Sequence, residues 1–203
     1  VLVSSEPKST VAGERTRERI LEAALPLFAE HGFAGTSVRL VASAADVNVA
    51  TLAYHFVDKA GLYRAAVQRL HQEMAALTLD PSLLLSGDPI GAVVATMWEF
   101  AASRRVLIRL LHRHVLDAGA LPEVVVDEWV DVLMDSIKPL LSAARPEWSE
   151  TDRRLLVFST THLIVRFVLE DRAQLGRLLG APDDPDGAVV RWLTDLVKLR
   201  LAH

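Results

Sequence analysis

Apolar residues return along this chain at spacings of three and four, capping residues mark the ends of such runs, and no β-branched stretch alternates. The pattern predicts an all-α fold with short helices first and longer ones after. Residues 1–13 read as a flexible arm. Helix one is expected from about Thr16 to His31, with Ile20, Ala24 and Phe28 on one face and Gly32 as its C-terminal cap. Pro26 removes the bond to the Glu22 carbonyl, which predicts a kink or a solvated carbonyl there. Short helices are expected at Ser37 to Ala45, Val49 to Phe56 and Lys59 to Leu77, with Thr36 or Ser37, Asn48 and Asp58 as N-caps. Residues 80–89, rich in Asp, Pro, Ser and Gly, read as a loop, and a domain boundary near Leu77 divides 14–77 from 78–203. Beyond it, helices are expected from Pro89 to Ala102, Arg104 to Asp117 with Gly119 closing it, and Pro122 to Ala144. Another runs from Ser149 to Asp171, opened by a capping box of Ser149 and Asp152, and the last starts at Asp184 and Pro185.

With 203 residues, 51% of them hydrophobic, the chain has enough apolar surface for one large core or a smaller and a larger one. The net charge of −4 is unevenly spread, slightly positive over the first 70 residues and negative after them. Any contact with nucleic acid must therefore rest on a local patch. The absence of cysteine excludes disulfides, thiol catalysis and Cys-based zinc sites. The longest charge-free stretch, Leu155 to Val165, falls well short of the ~20 residues of a spanning helix. The first dozen residues lack a signal layout, so a soluble, cytoplasmic protein without a membrane partner is expected.

The segment from Ser37 to Lys59 carries the sharpest pattern. Val38, Val41, Ala42 and Ala45 share one stripe, while Arg39 and Ser43 point away from it. Asn48 caps a single short helix anchored inward by Leu52 and Phe56, which leaves Ala50, Thr51, Tyr54 and His55 outward. Such a second helix suits a DNA major groove about 12 Å wide. An exposed helix pair with no ligand is the plain alternative, and Tyr54 and His55 alone would fit it.

Two runs add specificity: Ile20 to Ser37 follows the pattern ILxAAxxLFxxxGFxGTS, and Thr51 to Tyr63 follows TLxYHFxxKxxLY. In these the first third of the chain resembles the TetR family of transcriptional regulators. The resemblance implies a three-helix helix-turn-helix domain with a linker helix, then a larger helical domain that binds an effector and dimerises. It assigns Thr51, Tyr54, His55 and Lys59 to phosphate contacts that fix register, with Ser37 and Asn48 assisting from the caps. It places Arg39 at a base edge, where an Arg fork pairs with guanine O6 and N7. Val49, Ala50 and Ala53 take the other base-facing positions, and the small Val49 and Ala53 leave readout there to thymine methyls or DNA shape. Lys8 is either a further minor-groove or phosphate contact or part of a solvated tail.

In the remainder, the helices after Ser149 and Asp184 are apolar beyond a single stripe, more than one core covers. The resemblance implies a homodimer through these last two long helices and double-stranded operator DNA of palindromic design as partner. It further implies a small effector, apolar or aromatic, held among Met97, Trp98, Leu111, Trp129, Leu133, Met134 and Phe158, with release of a repressor as the response. Each of these is equally an ordinary core residue when taken singly. His162 and Arg166, four apart, offer a handle for a hydroxyl or carboxylate, or His162 is a hydrogen-bonded core histidine. His112 and His114, two apart on a helix, face different ways and make no metal pair. No cofactor is expected. No nucleophile elbow or Gly-rich loop frames a triad, so an enzyme is not expected. An all-α enzyme and a partner-binding module whose helix-turn-helix meets protein are the competing classes.

Overall fold

A computed structural model describes residues 8–75, 79–119 and 131–203. Among them stand ten α-helices and no strand. They are α1 (Lys8–Gly35), α2 (Val38–Ala44), α3 (Val49–Phe56), α4 (Lys59–Ala75), α5 (Pro89–Ser103), α6 (Arg105–Ala118), α7 (Asp131–Ala144), α8 (Glu150–Val168), α9 (Arg172–Leu179) and α10 (Pro185–Ala202). No helix among the described residues is long and apolar enough to cross a membrane, and no group of three His, Cys, Asp or Glu there is placed to hold a metal ion.

The chain divides into two compact units, one within Val1–Gln72 and Arg109–Pro122, the other within Glu73–Ile108 and Glu123–His203. The second half of α6 therefore packs with the amino-terminal helices, although the sequence pattern groups it with residues 78–203. The reason is Leu110, fully buried in the same core as Ile20, Phe28, Leu52 and Leu62.

In the first unit, α1 starts two turns before the expected Thr16. Residues 8–13, read from sequence as arm, are helical; residues 1–7 lie outside the described residues. Gly13 is the weakest helix former in that stretch, and a lone glycine costs a helix only about 1 kcal/mol. Pro26 keeps helical backbone with Glu22 exposed, and the break falls at Gly32 (φ 69°, ψ −179°), where the cap is expected. Thr36 does not cap α2; it is buried, and its one hydroxyl proton is shared between the carbonyls of Gly32 (2.8 Å) and Leu27 (3.1 Å). Ser37 is the cap, its oxygen accepting from the Leu40 N–H at 3.1 Å. Asp58 caps α4, accepting from Gly61 N–H at 2.6 Å.

The second unit is built mainly on α5, α8 and α10, which bury Val93, Met97, Trp98, Ile164, Val168, Leu193 and Val197. Asp88, Ser149 and Asp184 cap α5, α8 and α10, and the Ser149–Asp152 capping box is present. Two elements depart from the sequence pattern. The loop interval contains a 3₁₀ turn at Pro81–Leu85, and α9 occupies a stretch in which no helix is expected. Arg172 fixes α9 in place: it donates to the α8 carbonyls of Phe167 and Val168 (2.8 Å each), pairs with Asp186 and lies 5.5 Å from the centre of the Trp98 ring. The start of the helix expected at Pro122 lies outside the described residues, as does Trp129.

Candidate nucleic-acid interface and effector cavity

Two turns position the outer face of α3. After α2, Asp46 takes a positive φ of 51° and the Val47 N–H returns to the Ala42 carbonyl at 3.0 Å. Asn48 then opens α3, its Oδ1 accepting from the Thr51 N–H at 2.7 Å and the Thr51 hydroxyl at 3.0 Å. Leu52 is wholly buried and Phe56 nearly so, with the Arg17 guanidinium 5.0 Å from the Phe56 ring centre. These anchors turn Val49, Ala50, Ala53 and Tyr54 outward, Tyr54 at 84% exposure. Ser37, Arg39 and Asn48 are exposed, while Thr51, His55 and Lys59 are half-buried.

The hydrogen bonds refine what each side chain can offer. The Thr51 hydroxyl spends its proton on Asn48, so its oxygen is left to accept, whereas the Asn48 amide nitrogen keeps two donors for an acceptor such as phosphate. Lys59 donates to the Phe33 carbonyl at 2.8 Å and sits 4.4 Å from the centre of the Phe33 ring. It closes the end of α1 and keeps two further N–H donors. His55 and Tyr54 make an edge contact at 5.1 Å.

Three features of this unit are not marked by sequence spacing. Tyr63 contacts Phe28 and Phe33 edge-on (5.0 and 5.2 Å) and hydrogen-bonds His114 Nδ1 of α6 at 2.9 Å, with the two rings stacked. Burial, and secondarily the Asp117 carboxylate, raise the Tyr63 hydroxyl above its ordinary pKa. Burial lowers the His114 imidazole, against an opposing pull from Asp117. On α1, Arg15 and Arg19 line an open cleft with Val11 and Ala12. Arg15 falls outside the expected helix, so its register with Arg19 is hidden until α1 is seen to begin at Lys8.

The expected effector residues do not converge. A cavity in the second unit, with about 450 Å³ of empty space that includes open solvent, lies among α5, α7, α8 and α10. Met97 lines it. Trp98, Leu133 and Met134 are buried but are not among its lining residues, and Trp98 instead meets Arg172. Phe158 is half-buried outside it, and Leu111 belongs to the first unit. His162 is exposed and bonds the Phe158 carbonyl at 2.7 Å rather than standing in a core. Arg166 is also exposed and pairs with Glu170 one turn on. On a helix apolar nearly all round, spacing alone does not tell which face meets the cavity, and His162 and Arg166 fall on the outer one.

Comparison with known proteins agrees with this architecture. The model of the family described as bacterial regulatory proteins, tetR family, matches residues 20–66. YttP of Bacillus subtilis is 32% identical over 117 residues, with 54% of this chain and 56% of that protein aligned. The chain thus spans little more than half the length of that relative. The HTH-type transcriptional repressor KstR of Mycolicibacterium smegmatis is 33% identical over 142 residues, covering 68% of this chain and 67% of KstR. The crystal structure of SCO4942 from Streptomyces coelicolor superposes with a TM-score of 0.67 at 23% identity, over 89% of this chain and 97% of the other, and shares the fold. Identity over two thirds of KstR, the match over α1 to α4 and the shared helical layout lead to one conclusion: the chain belongs to the tetR family of bacterial regulatory proteins.

Proposed function

We propose that this protein is a DNA-binding transcriptional regulator that responds to a ligand, a repressor released from a palindromic operator when a small, largely apolar effector occupies the second unit. One observation carries the reading: Leu52 and Phe56 are locked inward, so the outer face of α3 with Tyr54, and the exposed Arg39 of α2, are free to meet a duplex. Arg39, which makes no hydrogen bond among the described residues, reads a base edge. Ser37, Asn48, Tyr54, His55 and Lys59 fix register on phosphates, Asn48 and Lys59 through the donors their internal bonds leave over. Val49, Ala50 and Ala53 present a small apolar surface suited to thymine methyls.

The protein acts as a homodimer through α8 and α10, so that two copies of α3 address two half-sites. The effector lowers DNA affinity to the extent that it binds the free and DNA-bound states differently.

Selection of bound duplexes from a random pool tests the reading directly. A two-fold symmetric consensus is expected, and Arg39→Ala should weaken it about ten- to hundredfold while relaxing preference at one position per half-site. Recovery of no enriched sequence from the unliganded protein would end the proposal.

A further inference from the structure

The described walls of the cavity in the second unit are aliphatic. Val93, Val94 and Met97 come from α5, Ile137 and Leu141 from α7, and Val157 from α8. One hydroxyl stands among them, that of Thr160, nearly buried on α8. In this arrangement its single proton goes to the Leu156 carbonyl one turn back, at 2.8 Å, which leaves its oxygen lone pairs to accept. A ligand group that meets it without breaking that bond donates. A carboxylate or phosphate brings acceptors and a charge whose burial beside carbon is costly. No aromatic ring is among the lining residues, since Trp98 meets Arg172 and stands apart from them.

We infer that the cavity takes an uncharged aliphatic molecule with a single hydrogen-bond donor, the chemistry of a medium-chain alcohol, its chain among α5, α7, α8 and α10 and its hydroxyl donating to Thr160. The inference names the ligand class for the effector site and rests on the reading of that cavity as such a site. On the measure by which an engineered apolar cavity of about 150 Å³ accepts benzene, this cavity holds about 50 Å³, and an eight-carbon alcohol, at ~30 Å³ per heavy atom by analogy with water's share of the liquid, needs on the order of 270 Å³. The alcohol therefore enters only as the walls from α5, α7, α8 and α10 move apart around it.

Calorimetric titration of the full chain with 1-butanol, 1-hexanol and 1-octanol, without DNA, tests this. Affinity should rise about fourfold per added methylene, the factor expected for full burial of a CH₂ group. 1-Octanol should bind about two- to tenfold more tightly than 1-methoxyoctane, which has an oxygen but no donor. Thr160→Val, nearly isosteric, should erase that preference and leave the ether's affinity unchanged, while Thr160→Ser should keep it. Circular dichroism on both variants checks that the helices are intact. Octanoate binding more tightly than octanol, an affinity insensitive to chain length, or an alcohol preference that survives Thr160→Val would each overturn the inference. The two readings fail separately: a protein that binds octanol but no duplex ends the regulator proposal alone, and one that binds its duplex but no alcohol ends this inference alone.

Discussion

Gly32 holds a backbone geometry, φ 69° with ψ −179°, that only glycine occupies without strain. A Cβ there would also come within 2.9 Å of Arg113 Nε and Asp117 Oδ2, ends of side chains that can yield, so the backbone sets most of the cost. Gly32→Ala should lose about 1–3 kcal/mol of stability by urea unfolding; an unchanged midpoint would mean that the bend at the end of α1 is not fixed by this residue. Thr36 belongs to the same bend. Replacing it with valine keeps the shape and removes the hydroxyl that serves the Gly32 and Leu27 carbonyls, for an expected loss of about 1–3 kcal/mol in the same measurement. The glycine was legible because helices commonly end on one, and the threonine was not. A buried Thr facing back to a helix end and a capping Thr facing forward look the same in sequence, and only packing separates Thr36 from Ser37. Arg39 and Tyr54 were legible for the opposite reason: each lies opposite a buried stripe whose period fixes which way it points.

Among the helices, the association of α4 with α6 yields a pH dependence with a definite sign. Burial depresses the His114 pKa below its unfolded value of about 6.5. The unfolded chain therefore takes up the proton more readily, and the stability that neutral His114 contributes is complete above that value and drains away as pH falls through and below it. His114→Gln should flatten the fall in urea midpoint between pH 7.5 and 5.5 relative to the parent, since Gln can still pair with the Tyr63 hydroxyl but does not titrate. Parallel curves would show that other histidines set the slope. At lower pH the capping carboxylates take over. Asp88, Asp152 and Asp184 are depressed chiefly by hydrogen bonds from Lys198, Ser149 and Arg191, so their contribution holds above the ordinary carboxylate range and is lost as pH falls through the lowered values. Caps of this kind made the starts of α3, α5, α8 and α10 readable to within a residue or so. α9 had a cap too, in Asp171, but eight residues carry too little periodicity to stand out, and tertiary anchoring by Arg172 supplies what propensity lacks. The effector residues were the least legible, because α8 offers apolar side chains on nearly every face.

For the whole molecule, the proposed assembly rests on the apolar surface left uncovered on α8 and α10. Leu155, Trp192, Leu196 and Leu199 are exposed on a single chain, Leu155 at 63% and Trp192 at 49%. Leu155, Leu163 and Leu196 line a groove between the two helices, flanked by Asp152 and Arg200. A two-fold partner applying the same groove would bury each of these residues twice, once from each side. Trp192 packs edge-on against Phe167 at 6.0 Å, a contact that restricts its ring and so lowers the entropy cost of presenting it. The double substitution Leu155→Glu with Leu196→Glu places four carboxylates in the interface and removes four leucines. Dissociation should strengthen by at least about a thousandfold, and sedimentation at micromolar concentration should report the 22.3 kDa of one chain. The helices should persist by circular dichroism, because both residues already face solvent in the single chain. A palindromic duplex should then bind as weakly as a single half-site. If the variant instead sediments as a dimer and keeps its operator affinity, the two copies meet on another face and the pairing of α8 with α10 is wrong.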